Sequence, residues 1–425
     1  LKKIEGKGKR KRVNRRFVAA AIALSACLLA LIFVVPHFRT LAAPDATFTV
    51  EPLTSPAGAN SSEPQITVQG DRLILSWLEV GDVKTTLKYA ERTASGWTAP
   101  QSVYSSDTFF VNAYDVPSVR ALSNGTIAAH WTESLGEESD ASRIRVSWSK
   151  DKGHTWSRPI SPHHDGTKTE HGFVSLFQTP GTAAASVGFG LVWIDGRLTD
   201  PEKETGDMSL RATTYDAAGK QGLEKIVDPR ICECCATASA DTSEGEIVAF
   251  RNRTKDEIRD IYVARLAAGK WSAPTLVHDD GWKITACPIN GPAISANGKE
   301  VAVAWYTAKD DQGKAFVAFS HDAGRTFGAP IRVDDSSSLG RLGVQMLADG
   351  SAAVTYNEFA NKHSQFRVRK VSAAGVRSAA VTVADTSSGR YPRVARVGNE
   401  ILFSWTDGEV PSTKVRTARA SLDSK

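Results

Sequence analysis

Short apolar stretches ending in an aromatic residue recur along the chain at a nearly constant interval. They are RLILSW ending at Trp77, TIAAHW at Trp131, GLVW at Trp193, EIVAF at Phe250, VAVAW at Trp305, AAVTY at Tyr356 and ILFSW at Trp405. Successive anchors lie 54, 62, 57, 55, 51 and 49 residues apart. Around each anchor the same order of short runs appears, most clearly in the fifth copy: Pro292 to Ser295, Val301 to Trp305, Ala315 to Ser320, then a turn and Pro330 to Val333. Runs of this length, rich in Val, Ile and aromatics and separated by turn residues, predict strands, and no helical periodicity competes with them. Four-stranded units repeated at this spacing predict an all-β chain, a β-propeller. Seven blades are preferred, and six result if one weak unit is not a blade. Several β-sandwiches in series would need linkers that the sequence lacks.

The last unit offers three strands, Tyr391 to Val397, Ile401 to Trp405 and Lys414 to Ala420. Thr47 to Leu53 is expected to supply the fourth, closing the ring across its termini and leaving no open edge.

Residues 17–35 break the pattern. Phe17 to Val35 is an uninterrupted apolar run of 19 residues, long enough to cross a hydrocarbon core as a helix. Residues 1–16 precede it with a basic cluster, which predicts a cytoplasmic tail, a single-pass anchor, a linker over 36–45 and a propeller over 46–425 on the outer side of a bacterial-type inner membrane. Two cleaved forms are alternatives: a signal peptide ending near Leu41, Ala42 and Ala43, and a lipoprotein processed at Leu24-Ser25-Ala26-Cys27. All three place the body in the periplasm or outside the cell.

This reading changes the meaning of the charge. The 425 residues carry a net +5, but nine basic residues against one Glu between Lys2 and Arg16 give +8, which leaves −3 for the rest. A nucleic-acid surface over the body is therefore not expected. The 33 Gly and 18 Pro follow no three-residue period, and apolar content is ordinary, so collagen and disorder are excluded.

Two turns share the pattern S-x-D-x-G-x-T-aromatic: Ser149, Asp151, Gly153, Thr155 and Trp156, and then Ser320, Asp322, Gly324, Thr326 and Phe327. The Asp is suited to accept N–H groups across a tight turn, the Gly permits a positive φ, and the aromatic is expected to pack under the blade. The pattern resembles the Asp-box, or BNR, repeat of the sialidase superfamily. The whole body resembles a branch of sialidase-like propellers that carries a Cys-x-Cys-Cys segment.

The resemblance implies a structural role for both boxes, on the face opposite the active site. It also implies an active site with three arginines around a carboxylate, a Tyr with a partnering Glu, an acid Asp and an early Arg-Ile-Pro motif. The corresponding region here reads Ser62-Glu63-Pro64-Gln65-Ile66 and lacks that Arg, so ordinary sialic-acid cleavage is not expected.

Propeller topology places the loops between second and third strands, and those between blades, on one face. Two residues past each anchor stand Glu79, Glu133, Asp195, Asn252, Thr307, Glu358 and Asp407, which form either solvated loop starts or a ligand-facing acidic ring. Asp195, Glu133 and Glu170 are the candidate acid, base or nucleophile. Arg197, Arg211 and Arg341 are the candidates to hold an anionic substrate.

Cys232, Cys234, Cys235 and Cys287 are the sharpest local feature. Cys287 lies 52 residues after Cys235, about one repeat, and should face it from the next interblade loop. Outside the cytoplasm disulfides are the default, with three possible connectivities. The alternative is a thiolate site for copper or zinc, with His278 or His171 as further ligands. The expected function is binding or hydrolysis of a carbohydrate ligand by a membrane-anchored propeller, as a sialidase-like glycosidase if it is an enzyme. A metal- or redox-linked periplasmic protein and a non-catalytic interaction scaffold are the alternatives.

Overall fold

A computed structural model describes residues 48–422, apart from 137–139, 180–185, 201, 204 and 387–389. The tail, the apolar segment and the linker fall outside the described residues. Among the described residues no helix is long and apolar enough to cross a membrane.

Seven antiparallel sheets are arranged along the chain, and in each the inner three strands lie side by side in sequence order. The third is typical, with His171–Thr179, Gly188–Asp195, Met208–Tyr215 and Lys225–Ile231 side by side. The second has three strands, Ser118–Ala121, Ile127–Ser134 and Ser142–Ser149, and Ile160 adds a single bridge to Val146 where a fourth would run. The seventh closes as expected. Phe48–Leu53 pairs antiparallel with Lys414–Leu422, from Phe48 opposite Leu422 to Leu53 opposite Thr417.

The aromatic anchors explain why the sequence repeats. Each interface between adjacent blades holds its own hydrophobic cluster. Each anchor fills the cluster shared with the preceding blade: Trp131 packs with Ile74 and Tyr89, Trp193 with Ile144 and Val146, and Trp305 with Ile247 and Val263. Fully burying one large apolar side chain stabilises the fold by roughly 2–3 kcal/mol, so one anchor per interface is a strong term in blade packing.

The two Asp-box turns add a second interblade contact. Asp322 Oδ1 accepts the N–H groups of Arg325 and Thr326 at 2.9 Å, and its Oδ2 accepts the Thr326 hydroxyl at 2.7 Å. Ser320 Oγ bonds Asp322 at 2.7 Å and receives the Gly324 N–H at 2.9 Å. Asp151 and Ser149 repeat the arrangement with Thr155 and Gly153. Gly324 has φ +79° and sits against Ile247 of the preceding blade, and Gly153, at φ +89°, sits against Tyr89 in the same way. A Cβ at either position would collide with that neighbour. The box aromatics also turn sideways rather than under their own blade: Trp156 meets Tyr89 edge-on at 6.2 Å, and Phe327 packs beside the Ile247 cluster.

Candidate functional site

The seven innermost strands surround a central cavity of 340 Å³. The Asp boxes, between third and fourth strands, lie on one face. The starts of the inner strands and the interblade segments lie on the other, around the mouth of the channel.

Residues two past an anchor share its side of the strand, because side chains alternate. The consequence is structural. Trp77, Trp131 and Trp193 donate their indole N–H to Glu79, Glu133 and Asp195, at 3.0, 3.4 and 2.8 Å. In the fifth blade position 307 is Thr, and Trp305 donates to Asp280 instead, at 2.6 Å. Glu358 accepts the N–H groups of Asp335 and Ser336, and Asp407 pairs with Arg416. These acids cap indoles and turns at the blade interfaces and form no common ring around a ligand.

Asp195, Arg197 and Arg211 are brought together, and they pair with one another. Arg197 makes two 2.7 Å bonds to Asp195 and bonds Glu224, which also accepts from Arg211 at 2.6 Å. His171 Nε2 lies 3.2 Å from Asp165 and 3.6 Å from Asp195, while its Nδ1 faces the carbonyls of Ser142 and Thr169. Three carboxylates, two guanidiniums and one imidazole thus share this network. Burial alone would raise the Asp195 carboxyl, but the Arg197 hydrogen bonds and the nearby His171 hold it below its ordinary range. Glu133 stands apart, bonded to Arg143 and Trp131 and 2% exposed.

Arg341 and Glu170 lie at the mouth instead. Arg341 sits in a β-bulge at φ +58° after Gly340, and its guanidinium stacks between two rings, 4.9 Å from Tyr114 and 4.6 Å from Tyr391. Its side chain also donates to the Ile289 carbonyl, which accepts the Tyr391 hydroxyl at 2.7 Å. Arg393 lies over the outer side of Tyr391 at 5.6 Å. Glu63, at the start of the first inner strand, pairs with Arg390 at 3.0 Å.

On the Tyr114 side the acids gather. Asp115 is buried, accepts the Thr132 hydroxyl and the Phe173 N–H, and approaches the backbone of Gly172 so closely that no Cβ would fit there. Burial pushes its carboxyl up to about 6 against those two bonds. Burial, with the charges of Asp140, Asp115 and Glu233, pushes Glu170 up to about 8. Glu170 therefore holds a proton at neutral pH among neighbouring acids.

The cysteines line the same mouth. Cys234 and Cys287 form a disulfide with Cα atoms 6.1 Å apart, and Cys232 and Cys235 are buried thiols with sulfurs 3.4 Å apart. Arg259, fully buried, donates to Cys232 Sγ at 3.3 Å, and the Asn290 N–H points at Cys235 Sγ at 3.4 Å. The hydrogen bond with Cys235 lowers the proton affinity of Cys232, while burial raises that of Cys235. The sulfurs of Cys232, Cys234 and Cys235 all lie within 4.8 Å of one another, as do ligand atoms of His163, Asp165 and His171. His171 belongs to the Asp195 network, and His278 stands beside Asp280 and Trp305.

Tyr391, Glu63, Arg390 and Arg393 were not named as candidate site residues by sequence reasoning. Their signal was positional: Glu63, Tyr391 and Arg393 lie at the start of inner strands, the counterparts of Gly172 and Arg341 in other blades.

No protein-family model matches the chain, and no curated protein matches it. Solved structures do resemble it in fold. The polysaccharide lyase Uly1 superposes with a TM-score of 0.51 at 11% identity, over 85% of this chain and 90% of that one. The NanB sialidase of Streptococcus pneumoniae gives 0.46 at 9% identity, over 88% and 94%. The leech intramolecular trans-sialidase gives 0.44 at 10%, over 89% and 92%. In fold the chain is a seven-bladed β-propeller.

Proposed function

We propose that this propeller binds an anionic glycan at the channel mouth and, if it turns the ligand over, uses Glu170 as the acid. The observation that carries the reading is Arg341, fixed between Tyr114 and Tyr391, and the acid role rests on the raised proton affinity of Glu170. A guanidinium presents a planar fork to a uronate or sulfate, and flanking aromatic rings suit the faces of a sugar. A carboxyl protonated near neutrality is the group that general acid catalysis at a glycosidic oxygen needs. Sialidases and a polysaccharide lyase among the structures of like fold agree with a glycan ligand. The absence of an Arg in Ser62-Glu63-Pro64-Gln65-Ile66 supports a ligand other than a standard sialidase substrate. The Asp195, Arg197 and Arg211 network then serves as a rigid wall, and Glu133 as an indole cap.

The apolar run over 17–35, flanked by the basic tail, supports a membrane tether that holds this site on the outer side. Fractionation with protease protection of intact cells checks that placement.

Calorimetric titration of the purified chain with uronate-bearing, sulfated, sialylated and neutral oligosaccharides tests the ligand reading. Binding confined to acidic members, lost in Arg341→Ala, is expected. Failure of every acidic member to bind, or binding indifferent to Arg341, overturns it.

A further inference from the structure

The four clustered cysteines include a feature that the glycan reading leaves unused. Cys232-Glu233-Cys234-Cys235 places two thiols three residues apart and inserts between them one half of a disulfide. The Cys232 sulfur lies 4.0 Å from Cys234 Sγ and 3.4 Å from Cys235 Sγ, so a single nucleophile has both exchange partners in reach. Arg259, fully buried, donates to Cys232 and is itself held by Glu233 and Glu257. A fixed guanidinium on a sulfur favours the thiolate, the form that attacks disulfides. Exposure differs in a useful way: Cys232 and Cys235 are buried, Cys234 is half-buried, and Cys287 is exposed at the mouth.

We propose that these cysteines form a thiol–disulfide exchange site that passes one disulfide between the exposed pair Cys234–Cys287 and the buried pair Cys232–Cys235. In the first step Cys232 gives its proton to water and the resulting thiolate attacks Cys234 Sγ. The Cys232–Cys234 bond forms, the Cys234–Cys287 bond breaks, and Cys287 leaves as a thiolate that takes a proton from water. In the second, Cys235 gives up its proton and attacks Cys232 Sγ. The Cys232–Cys235 bond forms, and Cys234 leaves and takes up the proton. One disulfide and two thiols stand on each side, so no oxidant or reductant is consumed. The exchange presents a dithiol at the surface, where a disulfide outside the protein can oxidise it by the same chemistry. This site stands whether or not a glycan binds, because it rests on the sulfur positions alone.

The test uses the purified full chain equilibrated in glutathione buffers of graded redox ratio, quenched with acid, alkylated and mapped by peptide mass spectrometry. In the population with one disulfide, both Cys234–Cys287 and Cys232–Cys235 linkages are expected, with alkyl label at Cys287 in molecules carrying the second. Cys232→Ser should lose that linkage and the Cys287 label together, and Cys235→Ser should accumulate the Cys232–Cys234 bond. A single linkage in the wild-type one-disulfide population at every ratio overturns the proposal. So does recovery of four free thiols with one equivalent of bound metal. The wild-type map decides alone if a variant fails to fold.

Discussion

The indole nitrogen of Trp193 donates to Asp195 Oδ2 at 2.8 Å, from two residues away on the same face of one strand. The same carboxylate receives Arg197 in a two-bond fork, so one side chain ties a blade-interface anchor to the loop that follows it. Removing one partner of a buried ion pair leaves the other uncompensated, at a cost of about 3–5 kcal/mol. Asp195→Ala should therefore destabilise the fold by about that amount in urea denaturation. Asp195→Asn, which keeps an acceptor for the indole, should lose less.

Arg341 should be sensitive to shape as well as charge. Lys keeps the charge but not the planar fork stacked between Tyr114 and Tyr391. Arg341→Lys should weaken binding of an acidic oligosaccharide by roughly tenfold, about 1.4 kcal/mol, with little change in melting temperature. Titration of the variant beside the wild type measures both.

Stability should fall on both sides of an optimum. Glu170 holds its proton up to about 8 in the folded chain against an ordinary 4.5, so the native state binds more protons across that window and loses stability as pH rises through it. His130, buried without a ring hydrogen bond, is depressed by burial from 6.5 to about 3, so stability is lost as pH falls through that range. Melting curves from pH 3 to 9 should show both limbs. Glu170→Gln should flatten the alkaline limb and His130→Gln the acid one.

The Asp boxes should matter for folding and not for ligand. Although burial works the other way, four polar hydrogens converge on Asp322 and hold its carboxyl below the ordinary range. Asp322→Ala should lower the melting temperature while acidic-glycan affinity stays at the wild-type value. Titration of the folded variant at low temperature separates the two effects.

The segment from Cys287 to Gly291 links the sulfurs to the mouth. Asn290 Oδ1 accepts the Arg341 N–H at 3.0 Å, and the Ile289 carbonyl holds the Tyr391 hydroxyl. Untethering the segment with Cys287→Ser should reduce acidic-glycan affinity without removing Arg341 itself. Calorimetry on this variant, with near-ultraviolet circular dichroism as a check of folding, gives the answer.

Much of the fold was legible because propeller blades repeat their own local rules. The spacing of Trp77, Trp131, Trp193, Phe250, Trp305, Tyr356 and Trp405 reported one buried aromatic per interface, and the missing strand of the last unit named its partner near Thr47 in advance. Both Asp-box turns were visible for the same reason, since each is closed by hydrogen bonds within eight residues. The site was less legible. Asp195, Arg197 and Arg211 carry the residue types of a catalytic cluster, yet alternation along the strand turns Asp195 to its own indole and to Arg197.

The sequence by itself determined the order of the blades and the closure of the ring, and favoured seven blades over six, because those follow from strand-length apolar runs and turn chemistry. It also placed Cys287 one repeat beyond Cys235. Tertiary structure alone decided which charges meet. Arg341 lies 227 positions from Tyr114 and 50 from Tyr391, and they stack only because seven inner strands begin around one channel. Tertiary structure likewise decided that Cys287 bonds Cys234 while Cys232 and Cys235 stay thiols. Chain spacing limits which blades those residues occupy, but the twist of each blade and the bulges at Glu63, Phe173 and Arg341 set where each side chain points.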